Sequence, residues 1–443
     1  MFDFASMGIE VASYLIVGSI LLLLITGLPL AFITGLVALV FTLGWFGPMA
    51  IPLVTTRVYS FINEYVLIAI PMFVLMASIL DRSGIARDLY NTMRMFAGQI
   101  RGGVAVQTLV VAIFLAAMSG IIGGEIVLLG LLALPQMLRM GYDQRLAIGT
   151  VVAGGSLGTM VPPSIVLIIY GLTANVSISD LFLATIFPAM LLGSLYITYI
   201  LTRCYINPAL GPAAPKEETD IGWSEKLKML KGIFLPVAVA VWVLGSIYGG
   251  IASVTEAACM GVIGVVLSTW VRKELNWPMI RDSLRQTLNT CGMIIWIGIG
   301  ASALVGVYNL MGGNRFIESV ILGLDVAPIV IILIMMSILL ILGLFMDWIG
   351  IALLTMPIFV PIVISLGYNP VWFGILFSMN MQVSYISPPF GPAAFYLKSV
   401  APPNITLREI FLSMWPFILL QLAALSLVLM FPQIALWLPG LES

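Results

Sequence analysis

Residues 146–171 read LAIGTVVAGGSLGTMVPPSIVLIIYG, an apolar run that is long enough to cross a bilayer yet broken at its centre. A membrane core of about 30 Å takes roughly 20 residues of helix, and this run supplies them without a charge. Its middle opposes a continuous helix. Gly154, Gly155 and Gly158 lower the cost of unwinding, while Pro162-Pro163 removes two backbone donors and strands the carbonyls before it. Stranded carbonyls in hydrocarbon need a partner, so such a break is tolerated only under cover of protein or beside a water-filled cavity. A second break lies in residues 379–392, MNMQVSYISPPFGP, where Pro388-Pro389 again interrupts apolar sequence.

The two proline pairs are 226 residues apart, and other punctuating residues share that offset. Gly35 falls on Gly261, Asn63 on Asn289, Pro135 on Pro361, Gly141-Tyr142 on Gly367-Tyr368, and Tyr170 on Tyr396. A slip of two residues adds Phe187-Pro188 on Trp415-Pro416. Matched dipeptides at one offset indicate a duplication, with one repeat over 1–206 and the other over 232–443. Between them lies a polar linker, 207–231, reading NPALGPAAPKEETDIGWSEKLKMLK, with Arg203 just before it. Its lysines place it in the cytoplasm by the positive-inside rule.

Composition sets the class. Of 443 residues, 61% are apolar and 9% charged, against a charged share of roughly 25% in soluble domains. Apolar segments, among them 11–46, 64–80, 103–118, 287–308 and 410–438, support ten to twelve transmembrane helices in an all-α fold. The absence of histidine removes His-ligated metals, Ser-His-Asp catalysis and histidine proton relays. Cys204, Cys259 and Cys291 lie far apart and show no metal-ligand spacing. A net charge of −1 offers no patch for nucleic acid. The N-terminus, MFDFASMGIEV, lacks the positive region of a signal peptide and is expected to stay in the mature chain.

Two short apolar runs precede the broken segments. One spans 119–140, opening on Ser119-Gly120 and ending in Gly141-Tyr142; the other spans 346–366 and ends in Gly367-Tyr368. They read as re-entrant hairpins, which mark a cavity. Within them sit Glu125 and Asp347, nearly the only carboxylates well inside apolar sequence. A buried ionisable group in a membrane segment is a functional candidate because its burial is costly; tip solvation or helix N-capping is the structural alternative. Residues 81–101 carry Arg82, Arg87, Arg94 and Arg101 at near-helical spacing, which predicts an amphipathic arm helix along the membrane face. The repeat places a second arm over 308–326, around Asn314, Arg315 and Glu318. A further charged stretch, Arg272–Arg285, has no such mate. Glu256 reads as an interfacial or packing residue, and Arg315 and Lys398 as snorkelling side chains.

These residues resemble a known family. The run SGIIGGEIVLLGLLALPQMLRMGYDQRLAIGTVVAGGSLGTMVPPSIVLIIYGLTANVSISDLF, from Ser119, is similar to the large membrane subunit of tripartite ATP-independent periplasmic (TRAP) transporters. So is LGLFMDWIGIALLTMPIFVPIVISLGYNPVWFGILFSMNMQVSYISPPFGPAAF in the second half. The resemblance implies an elevator-type carrier of two inverted repeats, driven by Na⁺ and not ATP. It also implies two partners: a periplasmic solute-binding protein, which hands over a small organic anion, and a small four-helix membrane subunit. Localisation would be the bacterial inner membrane. By position, a first Na⁺ site falls on Ser119, Gly120, Gly155, Gly158, Val161 and Pro162. A second falls on Gly343, Gln382, Ser384, Ser387 and Pro388. The solute would lie near Glu125, Thr159, Asp347 and Asn380. Two departures stand out: Ile121-Ile122 replace a serine-rich tip, and Ser387-Pro388-Pro389 replaces Thr-Pro-Pro. The alternative is a self-sufficient sodium/anion symporter. An intramembrane enzyme is opposed by the lack of histidine and of any clustered nucleophile.

Overall fold

The computed structural model describes residues 4–94, 100–120, 123–213, 223–323 and 325–442, and every regular element among them is helical. Part of the linker (214–222), part of the first arm (95–99) and the tip pair Ile121-Ile122 lie outside the described residues. In chain order the first half contributes α1 (Gly8–Ile25), α2 (Leu30–Trp45), α3 (Ile51–Ile62), α4 (Ala69–Arg82), α5 (Ile85–Arg94) and α6 (Gly103–Ser119). It continues with α7 (Gly124–Arg139), α8 (Gln144–Ser156), α9 (Ile165–Ala174), α10 (Ile178–Ala184) and α11 (Ile186–Ile206). The second half contributes α12 (Trp223–Tyr248), α13 (Val254–Val271), α14 (Trp277–Leu310), α15 (Gly313–Leu322) and α16 (Pro328–Gly343). It ends with α17 (Trp348–Ser365), α18 (Pro370–Ile386), α19 (Pro392–Val400) and α20 (Leu407–Met430).

Shifted by 226, α5 to α9 fall on α15 to α19, so the order of long, short and broken elements recurs. One difference separates the halves. The chain between α3 and α4 departs from the α-helix at residues 63–68, whereas α14 runs unbroken for 34 residues.

Seven helices among the described residues are long and apolar enough to cross a membrane, and five shorter apolar helices accompany them. The ten to twelve spans read from sequence divide between these groups because several stretches that looked continuous are not. Segment 11–46 is two helices, parted by Gly27 at φ +78° and by Pro29 at the N-cap of α2. Segment 287–308 is only the later part of α14, whose first turns take in Arg281, Asp282 and Arg285. The hairpins also extend further than expected. Residues 124–139 and 348–365 are each one uninterrupted leg, despite Pro135, Pro357 and Pro361 inside them, and α6 and α16 supply the other legs. A transmembrane helix tolerates such prolines where neighbours re-satisfy the freed carbonyl.

Two bodies of helices result. In one, α2 lies along α14, α4 packs on α13 and α14, and α12 packs on α13. In the other, the hairpin legs pack with α8, α9, α18 and α19, and α20 lies against α8. Lipid gives helices no hydrophobic push towards each other, so close backbone approach at small residues does the joining. A Cβ on Gly300 would stand 2.3 Å from Thr34 Oγ1 and 2.5 Å from the Ala31 carbonyl. One on Gly298 would strike the Phe61 ring at 2.2 Å, and one on Gly261 the Met76 sulfur at 2.5 Å. Outward faces are apolar, with Leu22, Ile25, Trp242 and Trp270 exposed.

The charged stretch at Arg272 has a structural use. Arg272 pairs with Asp88 of α5 and with Glu274 (2.9 Å), and Glu274 accepts the Gly84 N–H at 3.1 Å. Arg82 donates to Gln286 at 2.7 Å. The first arm is thereby tied to the α13–α14 corner. Lys398 was expected to snorkel; its Nζ instead donates to the Ile405 carbonyl at 2.6 Å, which holds the chain after α19. Glu256 forms a capping box with Ser253 at the start of α13.

Replacing Gly300 by valine should destabilise the α2–α14 seam by about 1–3 kcal/mol through overpacking. Gly245, which has open space where a Cβ would go, serves as the contrast. Thermal denaturation in detergent should show a clear drop in Tm for Gly300→Val and none for Gly245→Ala.

Candidate functional site

Both broken helices stop inside the protein. α8 ends at Ser156, and a 3₁₀ turn, Leu157–Thr159, leads into Pro162-Pro163, whose bond is cis. α18 ends at Ile386, and Ser387 leads into Pro388-Pro389, also cis. The two breaks meet at equivalent positions. Gln382 Nε2 donates to the Ser156 carbonyl (3.1 Å) and to Ser156 Oγ (3.2 Å), and these residues are separated by the repeat offset of 226. Gln421 of α20 donates to the same Oγ at 3.3 Å. Around the first break, the Thr159 carbonyl accepts from Ser164 Oγ (2.6 Å) and Ser378 Oγ (2.9 Å). These bonds place carbonyls that a broken helix would otherwise orphan.

Each hairpin then leans on its own break. Gly120, at φ +57°, ends α6, and a Cβ there would fall 2.2 Å from the Pro163 carbonyl oxygen. A Cβ on Gly155 would meet Ile126 Cγ1 at 2.4 Å, and one on Gly158 the Glu125 carboxylate at 2.8 Å. The glycines picked out in the first half are therefore the places where hairpin and broken helix touch. Ser119 is the last residue of α6. Val161 bonds back to the Leu157 carbonyl at 3.0 Å, and Pro162 is buried in the loop. In the second half, a Cβ on Gly343 would lie 2.3 Å from Ser384 Oγ. Ser384 donates to the Asn380 carbonyl (3.1 Å), Asn380 Nδ2 to the Met336 carbonyl (2.7 Å), and Ser387 to the Val383 carbonyl (2.7 Å). Pro388 is half-buried, and Pro389 and Phe390 are exposed. The first break is sealed, whereas the second opens outward.

The residues read as solute ligands differ in exposure. Asp347 is exposed at the second tip, where it is the N-cap of α17 and accepts the Ile349 N–H at 3.1 Å. Glu125, in the first turn of α7, is 1% exposed and turned towards Gly158. Thr159 is also 1% exposed, and its hydroxyl bonds back to the Ser156 carbonyl at 3.0 Å. Asn380 lies between α18 and α16. The carbonyl oxygen of its side chain, like that of Gln382, is buried with no hydrogen-bond partner among the described residues. Such acceptors call for an explanation, and a small hard cation suits amide and carbonyl oxygens.

Three residues escaped the sequence reading. Ser156 is the joint between the breaks, and its signal was its place opposite Gln382 at the repeat offset. Tyr385 and Tyr396 stack with ring centroids 6.4 Å apart, and Tyr396 roofs Gly123, whose Cβ would stand 2.9 Å from the ring. Tyr396 showed in sequence only as the match of Tyr170, which turns elsewhere and donates to the Pro370 carbonyl at 2.6 Å.

A double-mutant cycle checks the joint. Ser156→Ala with Gln382→Met should show a coupling of about 0.5–1.5 kcal/mol in unfolding free energy, the range for hydrogen bonds between membrane helices. Strictly additive effects would mean that the Ser156 hydroxyl adds nothing to the joint and that Gln382 acts there through the Ser156 carbonyl or by packing.

Comparison with known proteins agrees with this architecture. The family model described as "Tripartite ATP-independent periplasmic transporter, DctM component" matches residues 17–434. The C4-dicarboxylate TRAP transporter large permease protein DctM of Vibrio cholerae is 28% identical over 441 residues, covering 95% of each chain. The ectoine/5-hydroxyectoine TRAP transporter large permease protein UehC of Ruegeria pomeroyi is 31% identical over 85% of this chain and 86% of its own. The isethionate TRAP transporter permease protein DctMQ of Oleidesulfovibrio alaskensis is 30% identical over 96% of this chain but only 66% of that longer one. Among solved structures, the YdaH transporter of Alcanivorax borkumensis superposes with a TM-score of 0.62 over 85% of this chain and 86% of its own. At 16% identity, that is a likeness of fold. Matched over almost its whole length, this multi-pass inner-membrane chain belongs to the TRAP transporter family as a DctM-type large permease component.

Proposed function

We propose that this chain is the transporting subunit of a Na⁺-coupled importer that moves a small organic anion, a carboxylate, across the inner membrane. The observation that carries this reading is the pair of helices ending inside the protein, each followed by a Pro-Pro loop and each touched by a hairpin glycine, Gly120 at the Pro163 carbonyl and Gly343 at Ser384. Discontinuous helices of this kind place cation and solute sites near the midplane of secondary transporters. For the first Na⁺ site we assign the end of α6 at Ser119-Gly120, with Gly155, Gly158, Val161 and Pro162 beside it. For the second we assign Gly343, Gln382, Ser384, Ser387 and Pro388. The buried acceptor oxygens of Asn380 and Gln382 support an ion at the junction. The solute would enter the opening by Asp347, with the bound cations offsetting its charge.

The working cycle has three stages. A periplasmic binding protein docks and releases its anion between the hairpin tips. Na⁺ holds the broken helices in shape. The hairpin body then slides along the helices around α2, α4, α13 and α14, braced by a small four-helix membrane subunit. The TRAP names of the relatives favour this tripartite arrangement over a self-sufficient symporter. Their solutes differ, being C4-dicarboxylate, ectoine and isethionate in the three cases, so the solute here is left at the level of a small organic anion.

Radiolabelled uptake into proteoliposomes tests the proposal. Vesicles holding the chain and its small partner should take up one of a panel of organic acids only with both an inward Na⁺ gradient and the binding protein. Uptake by the chain alone would favour the self-sufficient symporter. In the coupled system, Ser119→Ala and Asp347→Ala should raise the Na⁺ concentration for half-maximal uptake about five- to thirtyfold. That corresponds to ~1–2 kcal/mol for a lost oxygen ligand or its support. Sodium titrations unchanged in both variants would refute the site assignment.

A further inference from the structure

Positive charge gathers at one end of the molecule. Gly102, where the first arm ends, donates to the Gly211 carbonyl of the linker at 2.9 Å, and Asp143, in the α7–α8 turn, donates to the Leu210 carbonyl at 2.9 Å. The Arg272–Asp88 pair brings the α13–α14 corner to that arm. Gly149, near the start of α8, abuts Ser413 and Phe417 of α20, so the α19–α20 turn reaches the same end. Together with the linker and the helix ends beside it, these elements hold every lysine and arginine of the chain except Arg57 and Arg315. The positive-inside rule reads that end as cytoplasmic. α14 starts at this corner, and the 29 residues from Trp277 to Gly306 are about 44 Å of helix, longer than the membrane core. Gly306 therefore lies towards the opposite end, where basic residues are scarce.

Arg57, on α3, is seated on that glycine. A Cβ on Gly306 would stand 2.6 Å from Arg57 Cγ and 3.2 Å from its Cβ and Cδ, so the missing side chain lets the arginine stem lie flat on α14. The guanidinium makes no ion pair or hydrogen bond among the described residues, and the Glu64 carboxylate makes none either. Both line one cleft of about 260 Å³, together with Ser60, Thr173, Ser302 and Asn309. α3 and α14 form one wall, and α9 and α17 of the hairpin body close the other, so the cleft lies on the seam between the two bodies. Pro357, on its wall, is ten residues along α17 from Asp347, about 15 Å of helix. The chemistry is two-sided. Arginine offers a fork of donors that matches a carboxylate. Glu64 offers only acceptor oxygens, which suit a hydroxyl or an ammonium. A bare dicarboxylate would satisfy the first group and be repelled by the second.

Resting on the importer reading above, in which the far end of α14 is the periplasmic one, we propose that this cleft is an outer solute site. Arg57 receives the carboxylate of the arriving acid, and Glu64 accepts from a hydroxyl or ammonium group on the same molecule. The favoured solute is thus a small hydroxy or amino acid. The site is separate from the one at the hairpin tips. Half of it is built on the stationary helices, so it holds solute before the hairpin body takes it.

Cysteine labelling of the full chain in phosphatidylcholine vesicles tests this with neither a Na⁺ gradient nor a binding protein. Cys204, Cys259 and Cys291 are replaced by alanine, and Asn309→Cys, exposed in the cleft, becomes the reporter. Its labelling by the anionic sulfonatoethyl methanethiosulfonate is compared with that by the cationic trimethylammonioethyl reagent. Arg57→Gln should lower the anion-to-cation rate ratio about three- to tenfold, as for loss of a charge that steers ligands into a cleft, and Arg57→Lys should keep most of it. Lactate or alanine should protect the cysteine at about three- to tenfold lower concentration than propionate, which lacks the second polar group. Glu64→Gln should erase that preference. A ratio indifferent to Arg57, or protection by all three acids alike or by none, would overturn the outer site. Protection by added phosphatidylglycerol in place of the acids would assign Arg57 to lipid headgroups and overturn it too. These results stand whether or not Na⁺-driven uptake is found, so the outer site and the importer reading are refuted separately.

Discussion

The architecture depends on one constraint: two helices end inside the protein, and the carbonyls at each break must find partners there. Everything around the breaks answers that demand. Gln382 spans to Ser156 at the equivalent point of the other half, Gln421 adds a second amide to the same hydroxyl, and Ser164 and Ser378 close on the Thr159 carbonyl. Because Ser156 and Gln382 are repeat mates, the pseudo-symmetry relating the halves runs through this joint. The polar residues gathered there would be a liability in any other part of the membrane. Here they make the hairpins and breaks a single body.

Glycine sets how closely that body is assembled. Gly120, Gly155, Gly158 and Gly343 each lie against an atom that a methyl group would strike. The first tip therefore rests directly on the Pro163 carbonyl at Gly120, and the other three glycines admit the side chains of Ile126, Glu125 and Ser384. The same device recurs where α14 meets α3 at Gly298 and α2 at Gly300. The boundary between the two bodies also has glycines at its contacts, Gly124 facing the Asp81 carboxylate and Gly350 facing Leu30.

Much of this was legible in the sequence because lipid narrows the choices. Long uncharged runs could only be membrane helices, and a Pro-Pro pair inside such a run could only be a covered break. The 226-residue offset located both breaks; their joint, Ser156 opposite Gln382, shares that offset but was recognised only from the hydrogen bonds. Less legible were the hairpin legs. Pro135, Pro357 and Pro361 read as ends of short runs, yet each sits inside a continuous helix, because a proline's lost hydrogen bond is local and its repair depends on neighbours. Lys398 read as a snorkelling side chain, but the chain after α19 brings the Ile405 carbonyl within its reach.

The sequence by itself determined the solvent, the helical class, the duplication and the positions of the breaks. Those follow from composition, periodicity and the chemistry of glycine and proline, which act on near neighbours in the chain. Tertiary structure alone decided which carboxylate faces which helix end, that Thr159 bonds inward, that Tyr396 roofs Gly123, and that Arg272 ties down the first arm. Those pairings join residues far apart in sequence, and their partners are fixed only when the packed helices bring them together. Between Asp81 and Gly124, or Asp88 and Arg272, no local rule operates, and only the fold sets the distance.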